Sequence, residues 1–270
     1  MAILDEILAT KRDEVTVLHQ PATRTAIMSA AAAAAPARDF AAALRRTDGR
    51  LAVVAEIKRR SPSKGDLAPD LDPEATAKLF EAGGASALSV LTDKPFFGGT
   101  IGDLQAARAA TALPALRKDF VLDEIQMFES RGVGADAVLL IVAAFRDDVV
   151  LADLHTLALE LGLSALVEAH DEREVERAVA VGARIVGVNS RSLQTFAEDL
   201  AVAERLAGLL PAGVTRVAES AVRSVEDARR MAEVGFDAVL VGEAFVRSDD
   251  PGALVGAMAA LPVAAERRSP

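Results

Sequence analysis

From about Leu51 onward the chain repeats one phrase: a short apolar run, a few polar residues, a segment of helical period, a glycine, and the next apolar run. The apolar runs are AVVAEI, SALSVLT, LPALRKD, DAVLLIV, SALVEA, RIVGVN, TRVAES and DAVLVG, eight in all, and each reads as a strand. Between them lie amphipathic segments such as DEREVERAVAVGA and SVEDARRMAEVGFD, which begin with acidic residues and end near glycine, as helix start and stop signals require. Strict alternation of strand and helix implies a parallel sheet with right-handed crossovers. An open doubly wound sheet usually places a glycine-rich phosphate loop after its first strand, and here that position holds KRRSPSKG. Together with the count of eight, this predicts an α/β protein whose strands close into a (β/α)8 TIM barrel.

The same pattern shows where chemistry would sit. Functional groups of such barrels gather at the C-terminal ends of the strands. Polar residues fall there repeatedly: Glu56 and Lys58, Thr92, Lys118, Glu168, Asn189, Glu219 and Ser220. Side chains alternate faces along a strand, so Val54 precedes Glu56 on one face, as Leu116 precedes Lys118, Leu166 precedes Glu168, Gly187 precedes Asn189 and Val217 precedes Glu219. If that face is the barrel interior, these groups meet in one mouth.

Ahead of the first strand, residues 1–50 contain the helix-like ILDEILATKRDEVTVL and an alanine run, Ala31 to Ala35, interrupted by Pro36. The expected organisation is therefore an N-terminal helical extension over 1–50 packed on a single barrel domain over 51–270. Periodicity leaves open whether the extension is a packing arm or a helix lying across the barrel.

Composition narrows the function classes. The chain has 270 residues, 51% of them apolar, which fits one large core. A formal net charge of -10 argues against a general nucleic-acid or anionic-membrane surface, so any anion site must be local. There is no cysteine, which removes disulfides, thiolate metal sites and a cysteine nucleophile. The start, MAILDEILATKRDE, lacks the basic-then-apolar order of a signal peptide, and no apolar stretch is long enough to span a bilayer. A soluble cytoplasmic protein is the expectation.

Two ammonium groups, Lys58 and Lys118, and three carboxylates, Glu56, Glu168 and Glu219, are thus expected at one mouth. Such crowding splits pKa values: a lysine near another cation is expected to fall towards neutrality, and a carboxylate near apolar walls to rise. A structural ion-pair network is the alternative for any one of them, but five on shared strand ends point to acid–base catalysis. The loops after the seventh and eighth strands, ESAVRS and VGEAFV, offer the Ser220 hydroxyl and the amides near Ala221, Gly242 and Glu243 for a phosphate, with plain helix capping as the alternative. Glu243 fits beside a phosphate only if its side chain points away. Of His19, His155 and His170, only His170 lies near a strand end, and no spaced cluster completes a metal site. A loop or helix-entry role is expected for it, and no metal.

The ordered motifs AEIKRRSPSKG, LRKDF, LVEAH, GVNSRSL and VAES, with the opening LDEILATKRDEV and the later VGEAFV, resemble indole-3-glycerol-phosphate synthase of tryptophan biosynthesis over nearly the whole chain. The resemblance implies an eightfold barrel with a helical extension over its active-site end, a lyase that closes an indole ring with loss of carbon dioxide and water, and no metal or organic cofactor. It implies Lys118 as general acid, Glu168 as proton-transfer partner in dehydration, Lys58 as a grip on the anionic substrate, and Glu56 as the residue that holds the lysines. Asn189, Arg191 and Glu219 match supporting positions, and Ser61, Ser220 and Gly242 match phosphate or substrate contacts. Phe97 and Phe120 either flank the aromatic ring or belong to the core. The family usually has glycine where this chain has Ala221, a costly exchange if that residue needs positive φ.

Two rivals differ in testable ways. A phosphoribosylanthranilate isomerase pairs a cysteine with an aspartate, and this chain has no cysteine. A silent barrel that only binds a phosphorylated metabolite or a partner enzyme would not need both Lys118 and Glu168.

Overall fold

The computed structural model describes residues 3–192 and 195–264, so residues 1–2 and 265–270 of the two expected segments, and Leu193 of the GVNSRSL motif, lie outside the described residues. Eight parallel strands close on themselves: β1 (Ala52–Ile57), β2 (Ala87–Leu91), β3 (Ala115–Lys118), β4 (Ala137–Ile141), β5 (Ser164–Ala169), β6 (Ile185–Asn189), β7 (Thr215–Glu219) and β8 (Ala238–Val241). Each pairs with its sequence neighbours, and β1 closes the ring by pairing with both β2, through Val54 opposite Ala87, and β8, through Ala52 opposite Ala238. All eight fall on the apolar runs predicted from the sequence.

The strands are buried on both faces, which is why their sequences read as continuous apolar runs. Ala52, Val54, Leu116, Leu139, Leu166, Val217 and Leu240 fill the interior, while Val53, Ala55, Val138, Val167 and Ala218 face the helices. The predicted parity is therefore the observed one, with Glu56, Lys118, Glu168, Asn189 and Glu219 at the far ends of inward-facing rows.

After the N-terminal arm, the helices of eight residues or more begin on side-chain caps. Asp72 caps Pro73–Gly83, Thr100 caps Ile101–Ala110, Asp123 caps Glu124–Gly132 and Asp147 caps Asp148–Glu160. Asp171, Asp199, Ser224 and Asp250 do the same for Glu172–Ala180, Leu200–Ala207, Val225–Glu233 and Pro251–Ala259. Each cap satisfies orphan amides of a first turn and stabilises by about 1 kcal/mol.

Before β1 the chain forms α1 (Ile3–Leu18), α2 (Pro21–Ala33) and α3 (Phe40–Leu44). This arm runs from one end of the barrel to the other. At the C-terminal end, Ile3, Leu4 and Ile7 of α1 line the mouth. Along the side, α2 lies close enough to the helix Glu124–Gly132 that a Cβ on Gly132 would meet Ala30 and Ala31, so the start of the alanine run, through Ala33, is helix packed closely, while Ala34 is already extended. At the N-terminal end, Phe40 and Leu44, 0% and 1% exposed, join the interior cluster that contains Ala52, Ala137, Ile185 and Ala238. Arg38 fastens this end, its backbone amide donating to Asp136 Oδ1 at 2.7 Å and its guanidinium to Leu113 O at 2.6 Å. Among the described residues, no helix is long and apolar enough to cross a membrane.

Candidate active site

The end of β1 delivers Glu56, and Lys58, one residue past the strand, folds back to place Nζ 2.5 Å from Glu56 Oε1. The last residue of β3, Lys118, puts Nζ 3.0 Å from Glu168 Oε2 and 3.3 Å from Glu219 Oε2, so carboxylates from β5 and β7 converge on one ammonium. Asn189, at the end of β6, donates from Nδ2 to Glu168 Oε1 at 3.0 Å while its Oδ1 accepts from the Arg191 amide at 3.0 Å. Two glycines create the room. A Cβ on Gly187 would strike the Glu219 carboxylate, and one on Gly242 would strike that of Glu56.

Burial sets the charges of this group. It works against a charged Lys118, yet the carboxylates of Glu168, Glu219 and Glu56 outweigh it and raise the lysine above its ordinary range. The expectation of a lysine lowered towards neutrality is therefore corrected for Lys118: the surrounding carboxylates, Glu168 first, outweigh its burial. Burial also opposes ionisation of Glu168, but Lys118, His170 and Asn189 hold its carboxyl well below the usual range. Glu219 goes the other way. Burial, then the negative Glu168, push it up to about 8, and the pull of Lys118 does not compensate. Neither Glu219 oxygen receives a hydrogen bond of good geometry among the described residues. Lys118 is shared, the nearer Glu168 takes the ion pair, and Glu219 takes the proton at neutral pH.

His170 lies behind Glu168, with Nε2 3.3 Å from Glu168 Oε1 and Nδ1 2.9 Å from Glu174 Oε2. Burial disfavours its charge, but those two carboxylates raise its pKa to about 10. It stands at the entry of the following helix, as expected, and there it also supports Glu168 from outside the cavity. Thr92, in contrast, does not reach the mouth: it points outward and donates to Asp119 Oδ2 at 2.6 Å.

The fourteen candidate residues of the sequence reading all line this one cavity. On one side, Ser220 and Ala221 both adopt left-handed conformations, φ 62° and 60°, and Ala221 is thus held where a Cβ is strained. Next to them, Gly242 precedes the turn Glu243–Val246, whose first amides have no intrahelical partner. The Glu243 carboxylate pairs with Arg247, its Oε1 3.2 Å from Nε. Ser61 sits in a tight hairpin, Arg60–Ser61 against Gly65–Asp66, and Arg191 reaches it by donating to Ser63 Oγ at 2.7 Å. Across the cavity, the rings of Phe97 and Phe120 lie 6.2 Å apart, centroid to centroid, at the wall that α1 overhangs.

Sequence reasoning missed several lining residues. Glu198 pairs with both Arg191 and Arg223, and Phe196 joins it from the same loop. These residues lie outside strand ends, where no periodicity marks them. Among the described residues, no cluster of histidines and carboxylates is arranged to hold a metal ion.

The sequence model of the family described as "Indole-3-glycerol phosphate synthase" matches residues 4–258. A protein named indole-3-glycerol phosphate synthase from Paenarthrobacter aurescens is 49% identical over 256 residues, covering 93% of each chain. One of the same name from Laribacter hongkongensis is 46% identical over 254 residues, covering 93% of this chain and 96% of that one. Among solved structures, 3-hexulose-6-phosphate synthase from Salmonella typhimurium superposes with a TM-score of 0.59 at 14% identity, over 77% of this chain and 97% of that one. At that identity the likeness is one of fold.

Proposed function

The chain belongs to the indole-3-glycerol phosphate synthase family, and from that premise we propose that it converts 1-(2-carboxyphenylamino)-1-deoxyribulose 5-phosphate to indole-3-glycerol phosphate, carbon dioxide and water. The observation that carries the reading is the Lys118 ammonium wedged between Glu168 and Glu219 at the floor of a cavity with a phenylalanine wall on one side and strained backbone amides on the other. A proton donor, a proton acceptor, an aromatic surface and an anion cradle are what this reaction asks of one site.

Ring closure needs a proton at the sugar carbonyl as the aryl carbon that bears the carboxylate attacks it. Lys118, kept as an ammonium chiefly by the ionised Glu168, carries the proton that this step uses. Loss of carbon dioxide then restores the aromatic ring. Dehydration follows: the ionised Glu168, aligned by Asn189 and supported by His170, accepts the proton lost from the carbon beside the nitrogen, while the hydroxyl takes a proton from Lys58 and leaves as water. Lys58, fixed by Glu56, faces the substrate anions and assists proton transfer. Arg191, set by Glu198 and Ser63, serves the aryl carboxylate, with Glu219 beside the ring. The phosphate lies against Ser61, Ser220, Ala221, Gly242 and the amide of Glu243. The reaction uses no metal or organic cofactor, and the reading places the enzyme in the cytoplasm.

The test is direct, because the chain contains neither tryptophan nor tyrosine and its own emission is weak. Incubation with the aryl substrate should produce rising indole fluorescence. Folded protein that gives no such rise at saturating substrate would refute the proposal and favour the silent barrel.

A further inference from the structure

Ile3, Ile7 and Lys11 recur at one-turn spacing on a single face of α1. The face whose apolar residues overhang the mouth therefore also carries a lysine that is 2% exposed. Lys11 Nζ lies 2.9 Å from Asp119 Oδ1, 3.1 Å from Asp93 Oδ2 and 2.6 Å from Glu14 Oε2. Both aspartates are buried. Asp119 follows Lys118 directly, on the opposite face of the strand, where its Oδ2 accepts from Thr92 Oγ1 at 2.6 Å and from Arg117 Nη2 at 3.1 Å. Asp93 begins the short turn Lys94–Phe97, its Oδ1 accepting from the Phe96 amide at 2.8 Å. Arg117 is already divided between Asp119 and Glu129, so Lys11 is the cation that serves Asp93 among the described residues.

One ammonium thus ties three parts of the site together: α1, the strand end that bears Lys118, and the turn that bears Phe97. We infer that Lys11 is a positioning residue, a latch that fixes the register of α1 so that Ile3, Leu4 and Ile7 form an apolar roof over the aromatic end of the substrate. The inference rests on the aryl substrate proposed above. It assigns Lys11 no contact with the phosphate, which lies across the cavity at Ser220 and Ala221.

Two variants test it, Lys11→Met and Lys11→Met/Asp93→Asn. The second keeps the charge balance that the first upsets and retains an oxygen for the Phe96 amide, so it guards against simple failure to fold. In both, amide exchange across residues 3–18 should speed up by about tenfold or more while strand amides change little, since only a local opening is made easier. KM for the aryl substrate should rise by about tenfold, with a smaller change in kcat, because the roof contributes to binding rather than to proton transfer. Affinity for inorganic phosphate, measured by calorimetry, should stay within about twofold of the parent, as expected for independent sites.

Parent-like exchange and KM in Lys11→Met would overturn the latch. So would recovery of KM in the double variant, which would assign the effect to an unpaired Asp93, and so would a parallel loss of phosphate affinity, which would mean general disruption. If the parent does not turn over the aryl substrate, the proposed function fails instead. The exchange and phosphate measurements need no turnover and still decide whether Lys11 holds α1.

Discussion

Replacing Glu219 by glutamine removes one titrating proton from the floor of the site and should leave a signature in stability against pH. Glu219 is 1% exposed, its oxygens receive no well-formed hydrogen bond among the described residues, and its pKa is raised from an ordinary 4.5 to about 8. Between those values the unfolded chain has released the proton that the folded chain keeps. The parent therefore loses stability as pH rises through this window, by up to about 1.4 kcal/mol per pH unit for one proton. Over the 3.5 units from 4.5 to 8 the ceiling is roughly 5 kcal/mol, less whatever Lys118 returns by pairing with the newly charged carboxylate. Glutamine has the shape of the protonated acid and does not titrate. Glu168 and His170 titrate in both proteins and largely cancel in the difference. Urea unfolding followed by circular dichroism at closely spaced pH values should show the two proteins separating from pH 5 to 8, the variant becoming relatively more stable, with the gap levelling off above about 8. A gap that is flat across that range would refute the assignment of the proton to Glu219.

Lys118→Arg keeps the positive charge but installs a group that does not release its proton near neutral pH, and Lys118→Ala removes both functions. Both should lose roughly a hundredfold to ten-thousandfold in single-turnover rate, and an arginine variant within a few-fold of the parent would pass the acid role to Lys58. At Ala221, with φ 60°, glycine should relieve about 1–2 kcal/mol of left-handed strain against an entropic cost of 0.5–1 kcal/mol. Ala221→Gly should accordingly keep or slightly raise the thermal midpoint, and a clear fall would show that the strain is not stored there.

The barrel was legible because its physics is periodic. Eight apolar runs, alternation within each and acidic helix starts all repeat, and Leu116 before Lys118 or Val217 before Glu219 follows from the pleat alone. Ala221 was legible through resemblance to a position where glycine is usual, and its φ gives the reason. What could not be read depends on distances between elements. The direction in which Lys118 shifts is decided by carboxylates 50 and 101 residues further along the chain, at 3.0 and 3.3 Å. Lys11 sits in an ordinary amphipathic helix, and nothing local distinguishes it from the exposed Arg12 beside it. Glu198 belongs to a loop with no period, so its grip on Arg191 and Arg223 emerges only when β6 and β7 are side by side.

The arm that joins the two ends of the barrel also has a place in time. It leaves the ribosome before the barrel does, yet α2 needs the helix Glu124–Gly132 as its neighbour, and Phe40 and Leu44 need a ring that is incomplete until Ala238–Val241 has been made. At ordinary synthesis rates the wait between residues 50 and 238 is roughly ten to forty seconds. Throughout it, Ile7, Leu8, Phe40 and Leu44 have no native cover, so the nascent chain carries exposed apolar side chains ahead of the barrel. The arm is translated before the barrel and covered only after it, and the yield of this protein in a cell depends on how well the arm is sheltered until the ring shuts.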